Sequence, residues 1–272
     1  MSAGALRVEL SLRNWQRGKT HPHEATYGSV PSVLFHEHEG RHGNFLDASY
    51  TAIAAVPEWA ARLRKSYSAD SRVPRRWDRK RNELDCANSS DALLMNIFCY
   101  PEIMSHPPLC ALLGVERSLT PMFGYKPRVP IGDRLVDRTE VDMLLGSLLV
   151  EAKLTESGFQ TAPLERVLRY PGFEELFDVD ELPLKDGPRG PVIQSYQLIR
   201  GVVAASFGER SFAVLCDARR ADLIEKWFQV MRAVRSCELR SRLTILTWQE
   251  VAGAAPQVVR RFLEEKYGIF GW

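Results

Sequence analysis

The sequence lacks the segments that would direct a chain into or across a membrane. No apolar run approaches the roughly 20 residues that a membrane-spanning helix needs, and the N-terminus, MSAGALRVELSLRNWQRG, has no continuous apolar stretch of the signal-peptide kind. The five cysteines are widely spaced and include no C-x-x-C pair, which favours reduced core residues over disulfides or a zinc site. We therefore expect a cytoplasmic protein with no membrane partner.

Several common catalytic motifs are also missing. There is no G-x-x-x-x-G-K-[ST] phosphate loop, no G-x-G-x-x-G and no G-x-S-x-G. Without these glycine-rich turns the chain has no P-loop, no dinucleotide-binding turn and no serine-hydrolase elbow. An ATP-driven motor, a Rossmann enzyme and a serine hydrolase are therefore excluded. There is no internal repeat either.

The composition is that of an ordinary globular protein. The chain has 272 residues, of which 45% are hydrophobic and 26% charged, and this length suits one α/β core with additions. We predict a single domain over residues 1–272. Residues 1–55 show little regular periodicity and are interpreted as an N-terminal extension on a core at 56–272, with a loop insertion at about 155–191.

Positive charge is concentrated in one segment. Residues 62–81 hold nine Lys or Arg against two Asp, a local net of +7, which leaves about −5 for the rest of the chain. Such a patch, with Tyr67 and Trp77 within it, suits phosphate neutralisation and base stacking. The alternative is a solvated helix face. The residues expected to contact DNA are Arg75, Arg76, Arg79, Lys80 and Arg81.

Histidines are concentrated near the N-terminus. His21 and His23 form one H-x-H pair, and His36 and His38 form another. Two imidazoles at this spacing can bind a metal, but no cysteine or carboxylate completes a recognisable site. A structural or surface role is therefore favoured.

Acidic residues interrupt two apolar segments that are predicted to form a β-hairpin. The segments TEVDMLLG and SLLVEAKLT meet at Gly146-Ser147, a tight-turn signal. Period-two alternation places Glu140 and Asp142 on one face of the first strand, and Glu151 and Lys153 on one face of the second.

The remaining periodicity predicts helices and strands in alternation, and hence an α/β protein with a mixed central sheet. Apolar spacing between Arg75 and Tyr100 indicates one long helix or two abutting ones, with Ser89 or Ser90 as a cap. On a continuous helix Glu83, Ala87, Ser90 and Asp91 would share a face. The later elements are expected to be a short helix at 164–169, helices at 193–206, 219–234 and 249–267, and strands at SFAVLCD and RLTILTW.

The hairpin carboxylates suggest a metal-dependent phosphodiesterase. Asp142 and Glu151 on neighbouring strands can converge on one Mg²⁺, an ion that prefers hard oxygen ligands. The backbone carbonyl of Ala152 is a natural third ligand, and Lys153 points to the same side, toward a phosphate or attacking water. The alternative is an exposed edge hairpin in which Glu151 and Lys153 pair with Glu140 or Asp142.

The arrangement of Asp142 and Glu151-Ala152-Lys153 resembles the D…E-x-K signature of the PD-(D/E)XK nuclease superfamily, which has a restriction-endonuclease-like α-β-β-β-α-β core. The resemblance implies a DNA-cutting enzyme that uses Mg²⁺, or Mn²⁺ in its place, and that often dimerises. It also implies an acidic residue from the preceding helix, for which Glu83 is the first choice and Asp91 the reserve. A polar helix after the E-x-K strand would supply the supporting residues Tyr196, Gln197 and Arg200.

The chain departs from the superfamily pattern at two positions. Val141 stands where the eponymous proline would be. The Gln-x-x-x-Tyr motif of the RecB-like branch is absent, because Leu198 follows four residues after Gln194. The first departure is common in the superfamily, whereas the second puts assignment to that branch in doubt.

Two other functions remain open at this point. One is a non-catalytic nucleic-acid-binding module that keeps the nuclease fold, against which the intact Asp, Glu and Lys argue. The other is a metal-using hydrolase with a different substrate, because residues 174–186 hold six acids and one Lys that would repel DNA beside a cleft. Endonuclease and exonuclease action are not distinguished.

Overall fold

The computed structural model describes residues 1–26, 31–66, 81–132, 135–188 and 190–272. The chain divides into two compact units. Unit 1 comprises Met1–Pro121, Ala152–Thr155 and Trp248–Trp272, and unit 2 comprises Met122–Glu151 and Glu156–Thr247. This division does not by itself define separately folding domains, so the single domain stays a prediction.

The described residues form helices, strands and single 3-10 turns. The helices are α1 (Ala3–Gly18), α2 (Asp47–Ala55), α3 (Pro57–Leu63), α4 (Ser90–Phe98), α5 (Pro107–Leu113), α6 (Leu164–Val167), α7 (Phe173–Leu176), α8 (Tyr196–Phe207), α9 (Ala221–Ala233), α10 (Cys237–Ser241), α11 (Trp248–Ala254) and α12 (Gln257–Tyr267). The strands are β1 (His23–Ala25), β2 (Val33–Phe35), β3 (Glu37–His38), β4 (Arg41–His42), β5 (Met122–Tyr125), β6 (Pro130–Ile131), β7 (Leu135–Val136), β8 (Val141–Leu145), β9 (Leu148–Ala152), β10 (Thr161–Pro163), β11 (Leu184–Gly187), β12 (Gly190–Gln194), β13 (Ser211–Cys216) and β14 (Leu243–Thr247). The 3-10 turns are Glu83–Asp85, Ile103–Ser105 and Val179–Glu181.

The N-terminal residues hold more regular structure than their sequence indicates. The hydroxyl of Ser2 caps α1 by accepting a hydrogen bond from the Ala5 N–H at 3.2 Å. The helix buries Leu6 and Leu10, which lie one turn apart on one face. α1 and α2 are therefore regular elements within residues 1–55, where the sequence shows little periodicity.

The segment before α4 is not a continuous helix. Glu83–Asp85 is a single 3-10 turn, and the backbone is extended at Cys86 and again at Ser89. Ser89 caps α4 by accepting from the Ala92 N–H at 3.1 Å, as one of the two predicted caps. The predicted common helical face of Glu83, Ala87, Ser90 and Asp91 is wrong, because extended residues separate the two elements. The part of the predicted helix at 75–80 lies outside the described residues.

Unit 2 contains a five-stranded mixed sheet in the order β14-β13-β9-β8-β5. β8 pairs antiparallel with both β5 and β9, whereas β13 and β14 are parallel. Gly146 turns the chain between β8 and β9 with a φ of 59°, which glycine adopts without steric cost. The predicted hairpin is confirmed.

β13 runs in the same direction as its neighbour β9. The N–H of Ser211, the first residue of β13, donates to the carbonyl of Ser147, just before β9, at 3.1 Å. Both strands therefore begin at one edge of the sheet, and both end at the opposite edge.

The predicted loop insertion at 155–191 contains regular structure. β10, β12 and β11 form a three-stranded antiparallel sheet, and the predicted short helix is present as α6. Buried aromatic side chains, among them Phe159, Phe173 and Phe177, tie the segment to the core of unit 2. The prediction of a loop is wrong here. The sequence did not indicate these strands because segments of three to five residues that contain Pro or Gly show no clear alternation.

The helices that follow agree with the sequence in order but not in every boundary. α8 begins at Tyr196 because Ile193 belongs to β12, and Pro256 separates the predicted C-terminal helix into α11 and α12. Apolar residues of α8 and α9 pack with Leu144, Leu149 and Phe212 in one core. The mixed sheet flanked by helices and the α-β-β-β-α-β order confirm the predicted fold class. None of the helices in the described ranges is both long and apolar enough to cross a membrane.

Candidate active site

Asp142 lies near the start of β8 and Glu151 near the end of β9, so both are at the same end of this antiparallel strand pair. Met143 pairs with Val150, and the same antiparallel register carried one step further sets Asp142 opposite Glu151. Opposed residues of an antiparallel pair project from the same face. Glu151 is only 2% exposed, whereas Asp142 is partly exposed.

The first turns of α8 provide one hydrogen-bond donor and one ion-pair partner for the Glu151 carboxylate. Gln197 donates from Nε2 to Glu151 Oε1 at 2.6 Å. Arg200 places Nη2 at 3.7 Å from Glu151 Oε2, and the same nitrogen donates to the carbonyl of Glu140 at 2.8 Å. A buried carboxylate costs several kcal/mol unless it is paired, so these partners explain how Glu151 is accommodated. They also fix its two oxygens relative to the strand that carries Asp142.

Ala152 ends β9, and Lys153 follows it directly. The Lys153 side chain is 5% exposed, and its backbone carbonyl accepts from the Trp248 indole Nε1 at 2.8 Å. Trp248 is completely buried. The backbone at Lys153 is therefore fixed by a buried side chain of α11.

Glu83 and Asp91 lie together in unit 1, where cations pair with both. Lys65 Nζ lies 2.9 Å from Glu83 Oε2 and 3.3 Å from Asp91 Oδ2, and Arg62 Nη2 lies 2.9 Å from the same Asp91 oxygen. Burial, and then the Asp91 charge, raises the pKa of Glu83. The two residues named from the resemblance thus form an ion-pair cluster with Arg62 and Lys65.

Most of the residues predicted to contact DNA lie in the part of the chain that the structure does not describe. Arg75, Arg76, Arg79 and Lys80 lie outside the described residues, and Arg81 is partly exposed. The role of this basic segment stays a prediction.

Tyr196, the third supporting residue, belongs to a buried polar network. Its hydroxyl lies 3.0 Å from that of Tyr170, which donates to Asp137 Oδ2 at 2.6 Å. Thr139 donates to Asp137 Oδ1 from its backbone N–H at 2.8 Å and also from its hydroxyl. Burial alone would raise the pKa of Asp137, but these hydrogen bonds outweigh it and lower the pKa. Arg166 stacks over the Tyr196 ring at 5.0 Å.

Sequence reasoning did not identify Asp137 or Tyr170. They lie 33 positions apart and neither belongs to a motif. Asp137 lies just before β8, and Tyr196 is the first residue of α8, so the network connects the two elements that carry Asp142 and Gln197. Only the three-dimensional arrangement reveals that connection.

The described residues contain no group of three or more His, Cys, Asp or Glu side chains able to hold a metal ion. His36 lies 3.7 Å from Glu24, and the buried His42 lies 3.3 Å from Asp85. Each of these two histidines therefore lies beside a carboxylate, and the structural or surface role favoured above stays a prediction.

Comparison with known proteins identifies the family. A family model described as restriction endonuclease associating with ARP matches residues 13–268, which include every described element discussed above as part of the site. No curated protein and no solved structure matches the chain. The restriction-endonuclease-like fold predicted from the hairpin is confirmed, and family membership indicates a nuclease. The chain belongs to the family of restriction endonucleases associating with ARP.

Proposed function

We propose that this chain is a Mg²⁺-dependent deoxyribonuclease that hydrolyses DNA phosphodiester bonds, with Asp142, Glu151 and Lys153 as its catalytic residues. The observation that carries the proposal is the buried Glu151 carboxylate, oriented by Gln197 and Arg200 on the hairpin that holds Asp142. A nuclease family supports this reading over that of a hydrolase with another substrate.

The donor set of the hairpin fits Mg²⁺. This ion is usually held by one or two carboxylates and keeps several waters, and the hairpin offers Asp142, Glu151 and the carbonyl of Ala152. A site with more carboxylates, or one with histidines and cysteines, would suit Ca²⁺ or Zn²⁺ better. When bound, Mg²⁺ neutralises phosphate charge and acidifies a bound water.

The side chains around the hairpin have distinct proposed roles. Gln197 and Arg200 hold the Glu151 oxygens in a fixed orientation, so that little reorganisation is needed when substrate arrives. Lys153 contacts the phosphate to be cut or orients the attacking water. Tyr196 supports the first turn of α8 through Tyr170. Glu83 stays a proposed acidic contributor, with Lys65 as its partner in unit 1.

The proposal extends to the partners of the protein. DNA is the expected substrate, bound in part by the basic segment that includes Arg81. The family description names association with ARP, and we propose that this chain also acts beside ARP. A homodimer and a cytoplasmic location are further expectations from the sequence.

A cleavage assay tests the function. Single- and double-stranded, linear and circular DNA would be incubated with Mg²⁺ or Mn²⁺ and with wild type, Glu151→Ala, Lys153→Ala or the exposed-surface control Glu165→Ala. We expect cutting by wild type and by the control, and none by the two site variants. Salt-sensitive DNA binding without cutting by any variant would instead indicate a non-catalytic binding module.

A further inference from the structure

A second charged cluster lies directly after β13. Asp217 is completely buried. Its carboxylate accepts three hydrogen bonds from Arg219. The backbone N–H and Nε of Arg219 donate to Oδ1 at 2.9 and 2.8 Å, and its Nη2 donates to Oδ2 at 2.7 Å. The Arg219 guanidinium is therefore fixed in one orientation while its side chain stays 24% exposed.

The neighbouring arginine has a different environment. Arg220 is completely buried, with bidentate bonds to Asp222 at 2.8 and 2.9 Å and a bond to the Glu156 carbonyl at 2.9 Å. It connects the loop after β13 to the segment after β9. Arg220 is thus a structural residue, whereas Arg219 is fixed by Asp217 and still partly exposed.

The cluster follows the C-terminal end of β13, which lies beside the C-terminal end of β9, where Glu151 is. β13 is the neighbour of β9, and both strands begin where Ser211 contacts Ser147, so both end at the same edge. Counted from the contact between Ser211 and Ser147, Asp217 is two residues further along its strand direction than Glu151 is along β9. A rise of about 3.3 Å per residue and a strand spacing of about 4.8 Å put their backbones roughly 8 Å apart. That distance corresponds to roughly two nucleotides of a DNA strand, which rises about 3.4 Å per nucleotide.

A buried carboxylate that fixes an arginine suits phosphate recognition. The desolvation of Asp217 costs several kcal/mol, and its bidentate contact with Arg219 offsets that cost. Because the guanidinium is held in place, less side-chain entropy is lost when it meets a ligand. Guanidinium groups match phosphate oxygens in geometry as well as in charge.

We propose that Arg219, positioned by Asp217, binds a backbone phosphate of the DNA strand within about two nucleotides of the bond that Glu151 and Lys153 cut. The inference rests on the proposed function for the identity of the ligand. It assigns a phosphate site to a part of the chain outside the hairpin and outside the basic segment at residues 62–81.

The test is the salt dependence of DNA binding by the full chain. Binding of a labelled DNA duplex would be measured by fluorescence anisotropy in EDTA, where no cutting occurs, over about 50 to 200 mM salt. The variants are Arg219→Gln and the control Arg232→Gln, which removes a 70%-exposed arginine from α9. Loss of one phosphate contact should reduce the slope of log K against log salt by about 0.9. The affinity of Arg219→Gln should fall about tenfold or more, as for a lost charge-assisted hydrogen bond, and Arg232→Gln should bind like wild type.

A second variant covers the case in which Arg219→Gln does not fold because Asp217 loses its partner. The double variant Asp217→Asn with Arg219→Gln replaces the ion pair with two neutral amides, and should show the same loss of slope. Wild-type slope and affinity in either folded variant would overturn the proposal, as would a wild type that binds no DNA.

The cleavage assay separates the two proposals. Cutting that depends on Glu151, together with unchanged binding by Arg219→Gln, would refute the phosphate site alone. Binding that depends on Arg219, without any cutting, would support the phosphate site and refute the nuclease.

Discussion

Replacing Gly201 in the middle of α8 by alanine should destabilise the protein, contrary to the usual effect of this change. A Cβ at this position would lie 2.3, 2.5 and 2.6 Å from three carbons of the Phe212 ring. Phe212 is completely buried and packs near Trp227, with 6.1 Å between ring centroids. The ring therefore has little space into which it can move.

The magnitude follows from two opposed effects. Alanine in a helix interior is normally favoured over glycine by about 1 kcal/mol. Overpacking of a filled core costs about 1–3 kcal/mol, and three contacts this short place Gly201→Ala at the upper end of that range. The expected net loss in the free energy of unfolding is about 2 kcal/mol. A shift of α8 by about 1 Å would also displace Gln197 and Arg200, so cleavage should fall by up to about a hundredfold.

Urea unfolding followed by tryptophan fluorescence measures the change, with Gly4→Ala as control. Gly4 lies in α1 with no atom within 4 Å of an added Cβ, so its replacement should be neutral or stabilising. In the double variant with Phe212→Leu the smaller side chain should relieve the clash, giving a favourable coupling energy of at least about 1 kcal/mol. Stabilisation by Gly201→Ala equal to that by Gly4→Ala would refute the packing argument.

Three further predictions concern polar side chains with hydrogen-bond partners inside the protein. Because folding lowers the pKa of Asp137, its stabilisation is present above the unfolded value and is lost as the pH falls through the folded pKa. Asp137→Asn should therefore cost about 1–3 kcal/mol at neutral pH, and in urea titrations this difference should begin to shrink below about pH 4 and vanish only below the folded pKa of Asp137. Burial lowers the pKa of Lys266 in unit 1, so the unfolded chain binds more protons and wild-type stability should rise with pH toward 10.5. Lys266→Met should lack that rise. Equal slopes of the free energy of unfolding against pH for both proteins would contradict a lowered pKa for Lys266. Gln197→Leu, which removes the donor to Glu151, should slow cleavage at least about tenfold without loss of fold by circular dichroism, and a wild-type rate would show that this hydrogen bond does not matter.

The hairpin was predictable because the sequence signals that specify it lie within a few neighbouring residues. Alternation in VDMLL and LLVEA and a glycine turn between them are enough to set Asp142 opposite Glu151. The fold class follows from the order of such segments. The supporting role of Gln197 was expected from the resemblance alone, and the structure adds its contact with Glu151.

Other features depend on contacts between distant residues. Asn14 is buried in α1 because Lys266 donates to its Oδ1 at 3.0 Å across 252 positions, and neither residue is typical of a core. The strands at 161–163, 184–187 and 190–194 are too short, and too rich in Pro and Gly, to show a period. Asp217 and Arg219 are close in sequence, but an acid two residues before an arginine does not by itself indicate an ion pair. The pair is recognised only from the burial of Asp217 after β13 and from its hydrogen bonds to Arg219.

Mn²⁺ binding in the absence of DNA would show whether Asp142 and Glu151 together hold the divalent ion. Calorimetric titration of the full chain would compare wild type with Asp142→Asn, Glu151→Gln and the surface control Glu165→Gln. We predict one class of site that is present in wild type and in the control and is lost in both hairpin variants, each of which keeps its circular dichroism spectrum. Unchanged Mn²⁺ affinity in folded Asp142→Asn and Glu151→Gln would contradict the metal site and the mechanism built on it.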